Sequence, residues 1–292
     1  MELCLGTVQF GTDYGIQGGS KPTKDVVFEI LDYAFENGIT TLDTASVYGD
    51  AESIIGIYNT NTSKHFDIIS KLPYEIFKQL QVSAYANAAK HAVSDSLTKL
   101  KVSKLSGLLF HEASYLYDQY AVDTLRALKE LGYTDRIGVS VYEPKDAEYA
   151  LSLNMDIVQI PNNLFDRRFD MFLKKVDSKI SIFARSVYLQ GLLLMDLEEI
   201  SKKLPGALQI ISSFEKICEE NNYSRREIAL SYIKNKKGIH SLIFGVDNMN
   251  QLKENIAAYQ RQVPLEIVNK IFIQFENVSE DIVSPLQWWK LR

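Results

Sequence analysis

Three successive short apolar runs end on an ionisable residue: residues 40–42 lead to Asp43, 66–70 to Lys71 and 105–110 to His111. Charged groups are rarely buried without partners, so three at the ends of buried runs imply a shared site. Tyr48 follows Asp43 by five residues, far enough for a loop to curl its phenol back beside the carboxylate. Together these four side chains suit the protonation of a carbonyl oxygen. A phenol ordinarily titrates at about 10. A neighbouring ammonium stabilises the phenolate, lowers that value and makes Tyr48 a better donor to a developing alkoxide. Asp43 would hold Lys71 charged and in place, and His111 would hydrogen-bond the carbonyl oxygen and orient it.

Two other chemistries use the same residues. Lys71 at the end of a strand could attack a carbonyl as a Schiff-base nucleophile, although a carboxylate partner would keep its amine protonated. The group could also sit in a catalytically quiet, cofactor-sensing subunit, since fold does not fix function. No metal site is predicted, because a single histidine ends a run and no His-x-His or paired-carboxylate cluster accompanies it. Serine hydrolysis is disfavoured by the lack of a Gly-x-Ser-x-Gly elbow. His65 and His240 precede their runs and His91 lies in a helical pattern, so all three read as structural or surface residues.

The runs that must position these groups alternate with helices. Apolar runs at residues 3–5, 40–42, 66–70, 105–110, 136–139, 157–160, 180–184 and 241–244 are short and nearly continuous, as in strands buried on both faces. Helical spacing fills 23–37, 82–100, 118–131, 144–151, 206–221, 224–234 and 248–259. Eight such units predict an open doubly wound sheet or a closed (β/α)8 TIM barrel. No strand leads into Gly-x-Gly-x-x-Gly, the Gly18–Gly19 pair has the wrong spacing, and no linker divides the chain. The reading is therefore one α/β barrel domain over 1–292. A C-terminal extension of about 264–292, with a helix-like 265–276, would pack on the barrel. Functional residues then belong at the strand ends, here Gly6-Thr7, Asp43, Lys71, His111, Ser140, Gln159, Arg185-Ser186 and Gly245.

A length of 292 residues, 46% of them hydrophobic, can bury a barrel core. A net charge of −5 without a block of Lys or Arg predicts no nucleic-acid or membrane partner. Two cysteines, Cys4 and Cys218, form neither a disulfide framework nor a metal-spaced pair, and no signal-peptide pattern opens the chain. These features predict a cytoplasmic protein and leave its oligomeric state open.

The segment GITTLDTASVYGDAE resembles the signature of the aldo-keto reductase family around its catalytic Asp and Tyr. ISK ending at Lys71, LLFHE around His111, IGVS ending at Ser140, VQIPNNLFDRR and FARSVYLQGLL follow in the family's order. The resemblance runs from Leu5-Gly-Thr7 to Glu254-Asn255. It implies NADPH or NADH bound extended across the barrel mouth, with hydride transfer to an aldehyde or ketone and Tyr48 as acid. It further implies that Gly6 and Thr7 face the cofactor and that Ser140 and Gln159 hold the carboxamide. Arg185, Ser186, Leu189 and Gly191 would lie along the pyrophosphate, and Gly245, Asn248, Gln251, Glu254 and Asn255 around the adenosine. Val141 stands where family members often have Asn. Gly245 and Gln251 stand where the family usually places basic residues, with Asp247 nearby and Lys253 as the only cation of that stretch. A 2′-phosphate is usually met by Arg or Lys, so the preference for NADPH over NADH should be weakened without being reversed. The polar and aromatic rim residues Tyr14, Tyr74, Tyr115, Tyr142, Asn162, Asn163, Arg167 and Trp288 or Trp289 suggest a hydroxylated, sugar-like carbonyl substrate.

Overall fold

Runs such as those around Cys4 and Val139 are buried on both faces, which a parallel sheet covered by helices permits. A computed structural model describes residues 1–16, 21–176 and 179–290; Gly18 and Gly19 lie outside the described residues. Eight strands form a closed parallel barrel. They are β1 (Glu2–Gly6), β2 (Thr41–Asp43), β3 (Asp67–Leu72), β4 (Gly107–Phe110), β5 (Ile137–Ser140), β6 (Ile157–Pro161), β7 (Ser181–Arg185) and β8 (Ser241–Gly245). Closure is made by β1, whose Gly6 pairs with Asp43 of β2 on one side and with Gly245 of β8 on the other. The fold is thus the (β/α)8 barrel expected from the alternation.

Strand alternation separates two cores. Cys4, Ile69, Leu109, Ile157, Phe183 and Ile243 form one buried cluster of their own, which fills the barrel interior. Their neighbours in sequence, including Leu5, Ile68, Leu108, Val158, Ile182 and Leu242, belong to the larger cluster shared with the helices. Gly138 belongs to the interior set, since a Cβ there would collide with the backbone carbonyl of Ile157 on the next strand.

In chain order the helices are α1 (Val8–Gly11), α2 (Lys24–Glu36), α3 (Ala51–Thr60), α4 (Tyr85–Leu100), α5 (Gln119–Glu130), α6 (Pro144–Ser152) and α7 (Asp170–Leu173). Then come α8 (Leu197–Lys203), α9 (Leu208–Glu220), α10 (Arg225–Lys234), α11 (Met249–Gln260), α12 (Leu265–Gln274) and α13 (Glu280–Val283). Caps set several of the starts. Thr23, Asp118, Ser224 and Asn248 each accept a hydrogen bond from the first turn of their helix, and Ser224 with Glu227 forms a capping box.

Helix α3, directly after the Tyr48 loop, is not apparent from the sequence. It has no side-chain cap, and Gly56 interrupts its interior. That glycine is needed because a Cβ there would strike the carbonyl of Lys99 on α4. The tail packs on the barrel as expected: Phe275 meets Phe165 and Phe214 with ring centroids 5.1 and 5.7 Å apart, and Arg167 lies 3.7 Å over Phe272.

Candidate active site

Side chains two residues apart on a strand share a face. One step beyond the interior residues Ile69, Leu109, Ile157, Phe183 and Ile243 therefore come Lys71, His111, Gln159, Arg185 and Gly245. Asp43 ends β2 beside them. The barrel's apolar plug thus carries a polar layer at its C-terminal mouth, and a cavity of about 490 Å³ opens above that layer.

Asp43 and Lys71 form its buried centre, with side chains 8% and 2% exposed. Lys71 Nζ donates to Asp43 Oδ1 at 2.9 Å, to Asp43 Oδ2 at 2.8 Å and to the Thr44 carbonyl at 2.8 Å. Those three bonds account for all three ammonium protons. Gln159 Nε2 also donates to Asp43 Oδ1, while Gln159 Oε1 is buried with no partner. Thr7 fixes the backbone behind, its N–H and hydroxyl both donating to the Asp43 carbonyl at 3.0 and 3.1 Å.

Tyr48 reaches this centre from a tight loop. A Cβ on Gly11 would overlap the Tyr48 carbonyl, and Gly49 follows at φ +56, packed against Gly11. Only glycine at position 11 lets the two backbones approach so closely. The Tyr48 ring lies 5.2 Å from Lys71 Nζ and meets His111 edge-on at 5.8 Å. On its other face His111 is stacked by Tyr74 at 3.9 Å. These contacts bring the four expected catalytic residues together.

The electrostatics correct one expectation. The phenol of Tyr48 is not lowered toward neutrality. Burial, with Asp43 and the phenol of Tyr14 adding to it, holds it well above its ordinary value. Desolvation of the phenolate outweighs the cationic neighbours, because the ammonium is already matched by Asp43. Tyr48 therefore stays protonated at every physiological pH. His111 moves the other way, pushed down to about 3 by burial, then by Lys71 and Arg185. It is neutral at physiological pH, with Nδ1 buried and without a partner.

That shift has a consequence for stability. The unfolded chain takes up a proton at His111 near 6.5, whereas the folded chain does so only near 3. Between those values the unfolded state binds more protons, so stability falls as pH falls through that window. A His111→Asn variant is expected to lose less of its urea midpoint between pH 6.5 and pH 4 than the wild type does. Equal losses would show that His111 is not held neutral.

The expected cofactor residues Gly6, Thr7, Ser140, Gln159, Arg185, Ser186, Gly191, Gly245, Gln251, Glu254 and Asn255 all line the cavity. Two others do not. Leu189 is 1% exposed and turned into the core, in a left-handed run with Gln190 and Gly191. Asn248 caps α11, its side chain accepting from Gln251 N at 3.0 Å. Of the rim residues, Tyr14, Tyr74 and Tyr142 line the mouth. Tyr115 instead accepts from Phe77 N at 3.2 Å, and Asn163 Oδ1 stabilises the turn to Asp166. Asn162 is fully buried and Arg167 is occupied by Phe272. Trp288 is buried, donating to the Ile282 carbonyl at 2.8 Å, and the side chain of Trp289 lies outside the described residues.

Gln9, Tyr188 and Arg226 line the cavity without having been anticipated from the sequence, and Gln190 and Asp247 line it as well. Arg226 is the notable one. It sits on α10, so no strand-end rule could find it, and it donates to Glu254 at 2.8 Å and to Asn255 Oδ1. Lys253 lies 5.5 Å over the Tyr33 ring and does not line the cavity.

The family model described as the aldo/keto reductase family matches residues 2–272. An uncharacterised oxidoreductase of Bacillus subtilis, YqkF, is 28% identical, with 88% of this chain and 86% of that protein covered. The D-arabinose 1-dehydrogenase of Saccharomyces cerevisiae is 23% identical, covering 88% and 82%. Among solved structures, an aldo-keto reductase of Bacillus halodurans in its holo form superposes with a TM-score of 0.75 at 21% identity. The superposition covers 97% of this chain and 95% of that one, and it speaks for the fold.

Proposed function

We propose, for a chain that belongs to the aldo/keto reductase family and is an NAD(P)H-dependent oxidoreductase, that Tyr48 delivers the proton when an aldehyde or ketone is reduced to an alcohol. The single observation that carries this reading is the Tyr48–Lys71–Asp43–His111 cluster at the floor of a cavity lined by most of the expected cofactor residues. The nicotinamide, when bound, supplies the hydride.

Two orphaned atoms fit an extended dinucleotide. Gln159 Oε1, at the catalytic end, is a buried acceptor suited to the carboxamide N–H, with the Ser140 hydroxyl beside it. Asn255 Nδ2, at the far end between α10 and α11, is a buried donor suited to a ring nitrogen of adenine. Ser186 and Gly191 line the same cavity.

The protein's own groups then divide the work. Neutral His111 orients the carbonyl oxygen toward the Tyr48 hydroxyl. As negative charge grows on that oxygen it becomes a far stronger base than a phenolate, so the proton leaves Tyr48 despite its raised pKa. Lys71 stabilises the phenolate left behind, through a charge 5.2 Å from the ring. Asp43 keeps that charge in place.

The bonding of Lys71 favours this reading over a Schiff base. An ammonium whose three protons are all hydrogen-bonded presents no lone pair. Borohydride with a carbonyl substrate should therefore trap no adduct. The direct test is consumption of NADH and NADPH over a panel of aldehydes, ketones and sugar carbonyls. Reduction of none of them would sink the reading. A hydroxylated, sugar-like substrate is favoured by the rim tyrosines Tyr14, Tyr74 and Tyr142 and by likeness to the D-arabinose 1-dehydrogenase.

Cofactor choice is proposed from the adenosine end. Gln251 is tied to Asp247 in both directions, its Oε1 accepting at 2.8 Å and its Nε2 donating at 3.2 Å. Arg226 is the cation there, and Glu254 already holds it. A 2′-phosphate would meet one engaged guanidinium and two acids, whereas a ribose diol would find acceptors. NADPH should therefore bind only modestly better than NADH. Dissociation constants from fluorescence quenching check this, and a thousandfold preference for NADPH would exclude it.

A further inference from the structure

Among the described residues Arg185 is a guanidinium without an acid. Arg168, Arg225, Arg226 and Arg261 each hold a carboxylate. Arg185 is bonded only to neutral groups: Nε to Ser140 Oγ at 3.2 Å, Nη1 to Ser186 Oγ at 3.5 Å and Nη2 to the Val141 carbonyl at 2.9 Å. Its Cζ lies 4.3 Å from the centre of the Tyr142 ring. Three of its five N–H groups are thus engaged, which leaves one on each terminal nitrogen. In the same cavity Lys71 is matched by Asp43 and Arg226 by Glu254, so among the described residues this half-buried charge is the lining cation that lacks a counterion. Such a charge is costly to keep unless a ligand completes it.

Its position says which part of the reaction it serves. The family resemblance implies a place for Arg185 along the pyrophosphate, with Ser186 and Gly191. Instead the guanidinium reaches back over β6 to the end of β5, between Ser140 and Tyr142. Its field is felt by Tyr48, Tyr14 and His111, which marks it as a neighbour of the reacting end. Beyond it a second cavity of about 210 Å³ shares Tyr142, Arg185, Ser186 and Gln190 with the first and is lined by Val283 and Pro285 of the tail. Glu143, Asp166, Arg168 and Glu280 line it too, with Arg168 already paired to Asp166 and Glu143.

Resting on the carbonyl-reduction reading above, we propose that Arg185 binds an anionic group of the substrate, a carboxylate or a phosphate, and so selects acidic sugar-like carbonyls over neutral ones. The planar fork matches both anions. The group would lie at the partition between the two cavities, with the carbonyl toward Tyr48 and the remainder of the substrate under the tail.

The test uses carbonyl-free probes, so that binding is read without turnover. Calorimetry on NADPH-saturated protein compares D-glucitol, D-gluconate and D-glucitol 6-phosphate. A charge-assisted hydrogen bond of roughly 1.5–3 kcal/mol corresponds to a factor of about ten to a hundred. At least one anion should therefore bind tenfold or more tighter than D-glucitol, and which one does so separates carboxylate from phosphate. Arg185→Gln should abolish that difference and Arg185→Lys should retain part of it. In both variants the dissociation constant of NADPH should change less than threefold. Equal binding of the three probes, or an unchanged preference in Arg185→Gln, overturns the proposal. A tenfold loss of NADPH affinity overturns it too, by assigning Arg185 to the cofactor. None of these results bears on whether NAD(P)H reduces a carbonyl, which the consumption screen decides separately.

Discussion

Tyr48→Phe is expected to lower kcat by about a hundredfold to ten-thousandfold, the range for removing a positioned general acid. Its dissociation constant for NADPH should stay within about twofold. The substitution deletes one oxygen and leaves the ring where it is, held by the Gly11–Gly49 loop contact and edge-on to His111. Packing changes little, so a fall in turnover reports lost proton transfer and not a displaced loop. Because the phenol sits well above its ordinary pKa, the wild type carries the proton across the whole neutral range. Its kcat should accordingly show no titration of Tyr48 between pH 5 and pH 8. Undiminished turnover in the variant would remove Tyr48 from the role of acid. A wild type that binds cofactor yet reduces no carbonyl would favour the cofactor-sensing alternative.

Legibility in the sequence followed the physics of the strand. A residue two places beyond a buried interior position must return to the same face, so Lys71, His111, Gln159 and Arg185 could be picked out by where their apolar runs stop. Groups delivered by helices carry no such signal. Arg226 lies on α10 among residues that read as an ordinary amphipathic helix, and only the barrel's closure brings it to Asn255. Helix α3 was hidden for a related reason. Its glycine, which argues against a helix locally, is required by the approach of α4.

The direction of the Tyr48 shift was also out of reach. Charge neighbours can be listed from a sequence, but the desolvation that outweighs them depends on how deeply the loop is folded in. Leu189 and Asn248 fail differently. Each stands at the expected place in the chain, yet one side chain is consumed by the core and the other by a helix cap. The orientation of Arg185 is a tertiary fact of the same kind, since its partners Ser140 and Val141 are two strands away.

The second large effect is on stability. Lys71→Met should destabilise the fold by about 3–5 kcal/mol, because it strands a carboxylate that is almost wholly buried. After the change Asp43 keeps the Gln159 amide but loses both bonds to the ammonium. Asp43→Asn should be similarly harmful from the other side, leaving an ammonium with the Thr44 carbonyl and one weakened neighbour. The double variant Asp43→Asn/Lys71→Met removes both charges at once. A buried ion pair is nearly balanced by its own desolvation, so the double variant should be much less destabilised than the sum of the two singles. Urea midpoints of the four proteins close the cycle. The pH dependence separates the singles, since stranded Asp43 can take up a proton, and the penalty of Lys71→Met should shrink as pH falls. Single variants that cost under about 1 kcal/mol, as exposed pairs do, would mean that the pair is not buried. Additive costs would mean that it is not coupled. The double variant should nonetheless be as inactive as Lys71→Met, because what it recovers is the stability of the barrel mouth and not the charge that stabilises the phenolate of Tyr48.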